Sequence, residues 1–172
     1  MAVGTEKLTA DAGTSTIDTL YRDHGQASLR IAYLIVGDQA RAEDLVHEAF
    51  VKLLGRLRKI RDPQALRAYL NRTVVNLAKN HHRAESIRRR HLQAQRDGSA
   101  LSTTMPDVGE RLEIHRRLLE LPYRQRVAVV LRYCEDLPEA EVADFLGVSP
   151  KAVRSLVGRA LKTLRNEGVH GG

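Results

Sequence analysis

Residues 138–165 read PEAEVADFLGVSPKAVRSLVGRALKTLR. Val142, Phe145 and Leu146 recur at helical spacing. Gly147 can take the left-handed conformation that ends a helix. Ser149 then offers an N-cap oxygen, and Pro150 suits the first position of a new helix. In that second helix Val153, Leu156, Val157, Ala160, Leu161 and Leu164 form an apolar stripe with i, i+3, i+4 spacing. The opposite face carries Lys151, Arg154, Ser155, Arg159, Lys162 and Arg165. Between Val148 and Arg165 there are cations and no acids, whereas Glu135, Asp136, Glu139, Glu141 and Asp144 precede them. A short helix, a tight turn and a second helix that gathers the positive charge make a helix-turn-helix suited to a DNA major groove.

The rest of the chain supports a helical reading. Its 172 residues hold no Trp and only two Phe, so a core must rest on Leu, Val, Ile and Ala, a composition that favours helices. Periodicity predicts a helix from Ile17 through Leu20, Tyr21, His24, Ile31, Ala32 and Ile35, ended by Gly37. Asp38 can cap the next, whose stripe is Ala42, Leu45, Val46, Ala49, Phe50, Leu53, Leu54 and Leu57. Arg58 to Arg61 form a basic connection. Asp62 and Pro63 start a third helix that buries Leu66, Tyr69, Leu70, Thr73, Val74 and Leu77 and runs to about His91. The stretch QAQRDGSALSTTMP at 93–106 has little periodicity and reads as a flexible linker. Further helices follow from near Asp107, broken at Leu121-Pro122, with Val127, Val130, Leu131 and Cys134 on one stripe. The expected architecture is all-α: a disordered tail at 1–15, one helical domain at 16–91, a linker at 92–106, a second domain at 107–166 and a tail at 167–172.

Charge narrows the function. The formal net charge is +7 and the pI about 9.9, which points to an anionic partner. Residues 1–55 hold five Lys/Arg against eight Asp/Glu, residues 56–96 twelve against two, and residues 97–172 eleven of each. One basic surface therefore lies in the middle of the chain and another on the helix-turn-helix. On the third helix Arg72, Asn76, Lys79 and Arg83 share one stripe. The cations can follow phosphates, and the Asn amide can offer donor and acceptor together to a base edge. The acidic face of the second helix would repel phosphates and better suits a protein.

Other chemistries find little footing. No P-loop, dinucleotide fingerprint or Cys-His cluster occurs, and adjacent His81 and His82 point to different sides of a helix. No catalytic residue, metal or cofactor is expected. Cys134 is the single cysteine, which excludes an internal disulfide and fits a reducing cytoplasm. No segment approaches the apolar length of a bilayer span.

Together these segments resemble a known family. AEDLVHEAFVKL at 42–53 with LRAYLNRTVVNLAKNHHR at 66–83 resembles region two of bacterial sigma factors. LPYRQRVAVVLRYCEDLPEAEVADFLGVSPKAVRSLVGRALKTLR at 121–165 resembles region four. A linker too short for region three, with nothing ahead of region two, is the layout of the extracytoplasmic-function (ECF) group. The resemblance implies that Asp44, Leu45, Glu48, Phe50 and Lys52 dock on the beta-prime coiled coil of core RNA polymerase, whose beta flap is a second contact. It implies that Ile60 and Arg61, with Arg72, Asn76, Lys79 and Arg83, open and read the minus-ten element. Lys151, Arg154, Ser155 and Arg159 would read the minus-thirty-five element. Promoter DNA, core polymerase and an anti-sigma factor are the partners it implies, in the cytoplasm. Departures from the family pattern are His47 for Gln, Tyr69 for Trp, Asn80 for Asp, Ala152 for Thr and Leu156 for Arg. The alternatives are a stand-alone helix-turn-helix regulator that binds duplex DNA as a dimer and, from a different class, an RNA-binding or scaffold protein that uses the basic middle segment.

Overall fold

Local chemistry sets the breaks between helices. Gly37 has φ of 81° and its N–H donates to Tyr33 O at 2.8 Å, closing the first helix. Asp38 then accepts from Arg41 N–H at 2.7 Å as the next N-cap. Asp62 accepts from Gln64 N–H at 3.0 Å, just ahead of Pro63. Gly147 has φ of 63°, and the Val148 N–H reaches back to Ala143 O at 3.1 Å, a Schellman ending. Ser149 Oγ accepts from Ala152 N–H at 3.2 Å and opens the last helix.

The computed structural model describes residues 5–56, 60, 62–93 and 109–167. The helices are α1 (Thr5–Val36), α2 (Gln39–Leu54), α3 (Pro63–Gln93), α4 (Gly109–Glu120), α5 (Tyr123–Tyr133), α6 (Glu139–Leu146) and α7 (Pro150–Glu167). There is no strand among the described residues. Two boundaries differ from expectation. α1 starts at Thr5, inside the segment read as a tail. α3 runs to Gln93, two residues into the expected linker, and positions 94–106 of that linker lie outside the described residues. So do Leu57, Arg58, Lys59, Arg61 and the tail from 168 onward.

α1, α2 and α3 pack on one another, as do α5, α6 and α7. The two groups also meet: α1 touches α4 and α5, and α3 touches α6. One continuous core runs from Leu20 to Val153, with Ile31, Ile35, Leu53, Leu70, Val74, Leu131 and Val142 nearly sealed from solvent. Each such side chain contributes about 1.5–3 kcal/mol of apolar burial. A smaller cluster of Leu118, Leu121, Val129 and Ala160 takes in Leu34 of α1. The halves read from sequence as linked domains therefore share a core. α1 makes most of the contact between them, against α4 and α5, and α3 adds a second buried stripe, Asn71, Val75 and Ala78, beside the expected one.

Candidate nucleic-acid and polymerase surfaces

The amphipathic phase of α7 puts Val153 and Ala160 inside and leaves Lys151, Arg154, Ser155 and Arg159 exposed together. Arg159 Nη2 donates to Ser155 Oγ at 3.2 Å and its Nε to Ser155 O at 3.3 Å, so these two act as one polar unit. Arg154 pairs with Glu139 at the start of α6. That pairing holds the Glu139 carboxyl below the usual carboxylate range, chiefly through the Arg154 hydrogen bond. The whole expected set is thus brought onto one face.

On α3 the stripe Arg72, Asn76, Lys79 and Arg83 is likewise exposed. It borders the second buried stripe, one residue further on, so it sits at the edge of the seam between the halves. The Arg72 guanidinium lies 5.2 Å from the centroid of the Phe145 ring on α6. Lys79 and Arg83 line a cleft of about 610 Å³ with Tyr123, Arg124, Phe145 and Leu156 from the other half. His82 stacks on Tyr123 at 4.3 Å between ring centroids. Ile60 is half-buried against the core, and Arg61 lies outside the described residues.

The α2 surface corrects one expectation. Asp44, Glu48 and Lys52 are exposed, and Lys52 Nζ pairs with Glu48 Oε1 at 3.0 Å. Leu45 and Phe50 are buried in the core, where Phe50 meets the Tyr21 ring at 4.9 Å. A helix that buries 42, 45, 46, 49, 50 and 53 cannot present those two outward. Val51 and Leu54 stand out instead, at 52% and 48% exposure. Two exposed apolar side chains among Asp44, His47 and Glu48 make an amphipathic patch suited to another protein. The signal was available: Val51 falls off the apolar stripe, and Leu54 lies on its edge.

Two groups that the sequence reading left without a role fasten the halves. Arg126 on α5 donates through Nη1 to Ile35 O at 2.6 Å and through Nη2 to Leu119 O at 2.8 Å and Leu121 O at 3.2 Å. It caps the carbonyl ends of α1 and α4 with one cation. Glu135 Oε2 accepts from Arg67 Nη2 and from Asn71 Nδ2, each at 2.9 Å, with its side chain 1% exposed. Cys134 is partly buried, and burial pushes its thiol up, away from the reactive thiolate. Among the described residues no group of three or more His, Cys, Asp or Glu is placed to hold a metal.

Two surfaces rich in Arg and Lys, one on a helix-turn-helix, are what a two-site DNA reader needs. Residues 20–88 match the family model for sigma-70 region 2, and residues 111–164 that for sigma-70 region 4. The chain belongs to the sigma-70 family. It is 30% identical over 149 residues to RNA polymerase sigma factor SigV of Bacillus subtilis, covering 86% of this chain and 87% of the relative. It is 33% identical over 150 residues to the RNA polymerase sigma-E factor of Streptomyces coelicolor, covering 85% and 82%. Among solved structures, CnrH in complex with the cytosolic domain of CnrY superposes with TM-score 0.63 at 26% identity, over 96% of this chain and 97% of that one. The sigma factor RpoE of Bartonella quintana, in complex with the anti-sigma factor NepR, gives 0.65 at 18% identity over 96% and 99%, a likeness of fold. This sigma factor is of the ECF type, with α1–α3 in region 2 and α4–α7 in region 4. Sigma factors direct RNA polymerase to promoters and as a class are not enzymes. No helix among the described residues is long and apolar enough to cross a membrane.

Proposed function

We propose that this sigma factor binds core RNA polymerase through α2, opens and reads the minus-ten element with α3, and reads the minus-thirty-five element with α7. The observation that carries this reading is the pair of exposed basic stripes on one chain, Arg72, Asn76, Lys79 and Arg83 on α3 and Lys151, Arg154, Ser155 and Arg159 on α7. On α7 an Arg reaching guanine O6 and N7 supplies direct readout, while Lys151 supplies a phosphate contact. On α3 the cations follow the phosphates of the opened strand, and the Asn76 amide meets a base edge. Ile60 and Arg61 belong to the connection that enters the opened region. Asp44, Glu48 and Lys52, with Val51 and Leu54, form the face for the beta-prime coiled coil, and residues 107–166 also meet the beta flap.

The chain supplies binding energy and selection, and polymerase supplies the chemistry. It works in the cytoplasm, without cofactor and without catalysis of its own. An anti-sigma factor is a further partner, in keeping with the complexes of CnrH and RpoE.

Reconstitution with core polymerase tests the proposal. The expected result is a roughly equimolar complex that initiates from a two-element promoter, with Arg154→Ala weakening upstream-element reading while core binding is kept. A chain that ignores core polymerase and footprints duplex DNA alone would overturn it.

A further inference from the structure

The Arg154 side chain is 74% exposed, yet its guanidinium is not free. Its Nε donates to Glu139 Oε1 at 3.2 Å and its Nη2 to Glu139 Oε2 at 2.8 Å. Glu139 is the first residue of α6, fifteen positions earlier, so the pair bridges the two helices of the helix-turn-helix. A guanidinium carries five N–H donors in a planar fork. This carboxylate takes the Nε edge. Both hydrogens of Nη1 and one of Nη2 remain, at the far end of the fork. An arginine reads guanine with two parallel N–H groups, and that end still offers such a pair.

The choice of a carboxylate here is otherwise odd. It stands at a face meant for DNA, where it repels phosphate and lowers total affinity. An unheld Arg beside DNA has two destinations, a base edge or a nearby phosphate, and the phosphate carries no sequence information. Glu139 competes with phosphate for the side of the fork and leaves only the end to the groove. Holding a long side chain in its bound geometry also lowers the entropy cost of binding.

We propose that Glu139 is a positioning residue for promoter reading: it holds Arg154 end-on, and so sets the base preference at the one position Arg154 reads, at some cost in total DNA affinity. The inference rests on the assignment of α7 to the upstream element. Its signature is a pair of opposite effects, because removing the carboxylate relaxes discrimination while total binding holds or rises. General damage to the fold lowers both.

The test uses holoenzyme assembled from the full chain and core polymerase, bound to a pool of duplex promoter fragments randomised across the upstream element. Bound and free fragments are sequenced. In the wild type one position shows a guanine preference that Arg154→Ala erases. Glu139→Ala is expected to cut that same preference about tenfold, with other positions unchanged and total binding equal or higher. Glu139→Gln, which keeps one acceptor oxygen, falls between. Glu139→Ala combined with Arg154→Ala matches Arg154→Ala alone, and Glu141→Ala, an acid of the same first turn, matches wild type. Should Glu139→Ala keep the wild-type preference while Arg154→Ala loses it, the positioning role is overturned and Arg154 reading stands. Should Arg154→Ala change no position, both fall together.

Discussion

Single residues decide how closely the halves approach. At Gly37, a Cβ would sit 2.7 Å from Leu119 Cδ2 of α4, and the φ of 81° is one that L side chains rarely adopt. Gly37→Ala is expected to lose about 1–2 kcal/mol from backbone conformation alone, with more from the displaced Leu119, read as a lower midpoint in urea. Arg126 is the opposite device, a long side chain that ties three carbonyls from two helix ends. Arg126→Met keeps the apolar stem and should still cost about 2–3 kcal/mol, because the carbonyls lose a charged donor. A thermal melt unchanged from wild type would show that those carbonyls find other partners. Both sites were half-legible. A glycine ending a helix is visible in sequence, but the leucine 82 positions later that needs its missing Cβ is not.

At the scale of the element, helical phase sorts function. α2 turns Leu45 and Phe50 inward and leaves Asp44, Glu48, Val51 and Leu54 outward. Asp44→Ala with Glu48→Ala should weaken core-polymerase binding severalfold and leave upstream-element preference intact. Val51→Asp should weaken it further, since a charge would replace an apolar contact, and a pull-down titration against core polymerase reads both. α3 shows why sequence reading found only part of the site. Its core stripe and its basic stripe each have helical period, so both were visible. The third stripe, Asn71, Val75 and Ala78, mixes polar, branched and small residues. Such a mixture looks like an ordinary boundary until a partner surface covers it.

The whole molecule is held closed by groups drawn from both halves. Two promoter elements some 25 base pairs apart lie about 85 Å from one another on duplex DNA. α3 and α7 instead border one cleft, so the proposed reading of both elements requires the halves to part. Arg67 and Glu135 oppose that parting. Arg67→Ala leaves a buried carboxylate with one partner fewer; as Arg67 is itself half-exposed, a cost of about 1–2 kcal/mol is expected. Glu135→Gln should act from the other side, and either variant should raise the radius of gyration in small-angle scattering. Equal radii for both variants and wild type would show that the pair does not hold the closed form.

Acid should loosen the same seam. Burial, together with Arg126, Arg89 and His81, holds His82 below the ordinary imidazole value, and burial does the same for His115, opposed by its bond to Tyr33 O and aided by Arg126. His115 also stacks on Tyr33 at 4.2 Å. With the folded values depressed, this stability is fully present above about pH 6.5. It is lost as pH falls through the folded values, because the unfolded chain takes up its protons first. A melting temperature lower at pH 5.5 than at 7.5, with a smaller drop in His82→Gln, is the expected result.

What the sequence by itself determined is whatever depends on neighbours within about one helical turn. The caps at Asp38, Asp62 and Ser149, the endings at Gly37 and Gly147, the inward stripes and the two basic faces all belong to that class. Only the tertiary structure decided that the halves close on each other, that α3 has a third face, and that Arg154 is held by Glu139. Those facts rest on partners 15 to 91 positions apart. Helical periodicity fixes which way a side chain leaves its own helix, whereas the surface it then meets is set by how separate helices pack.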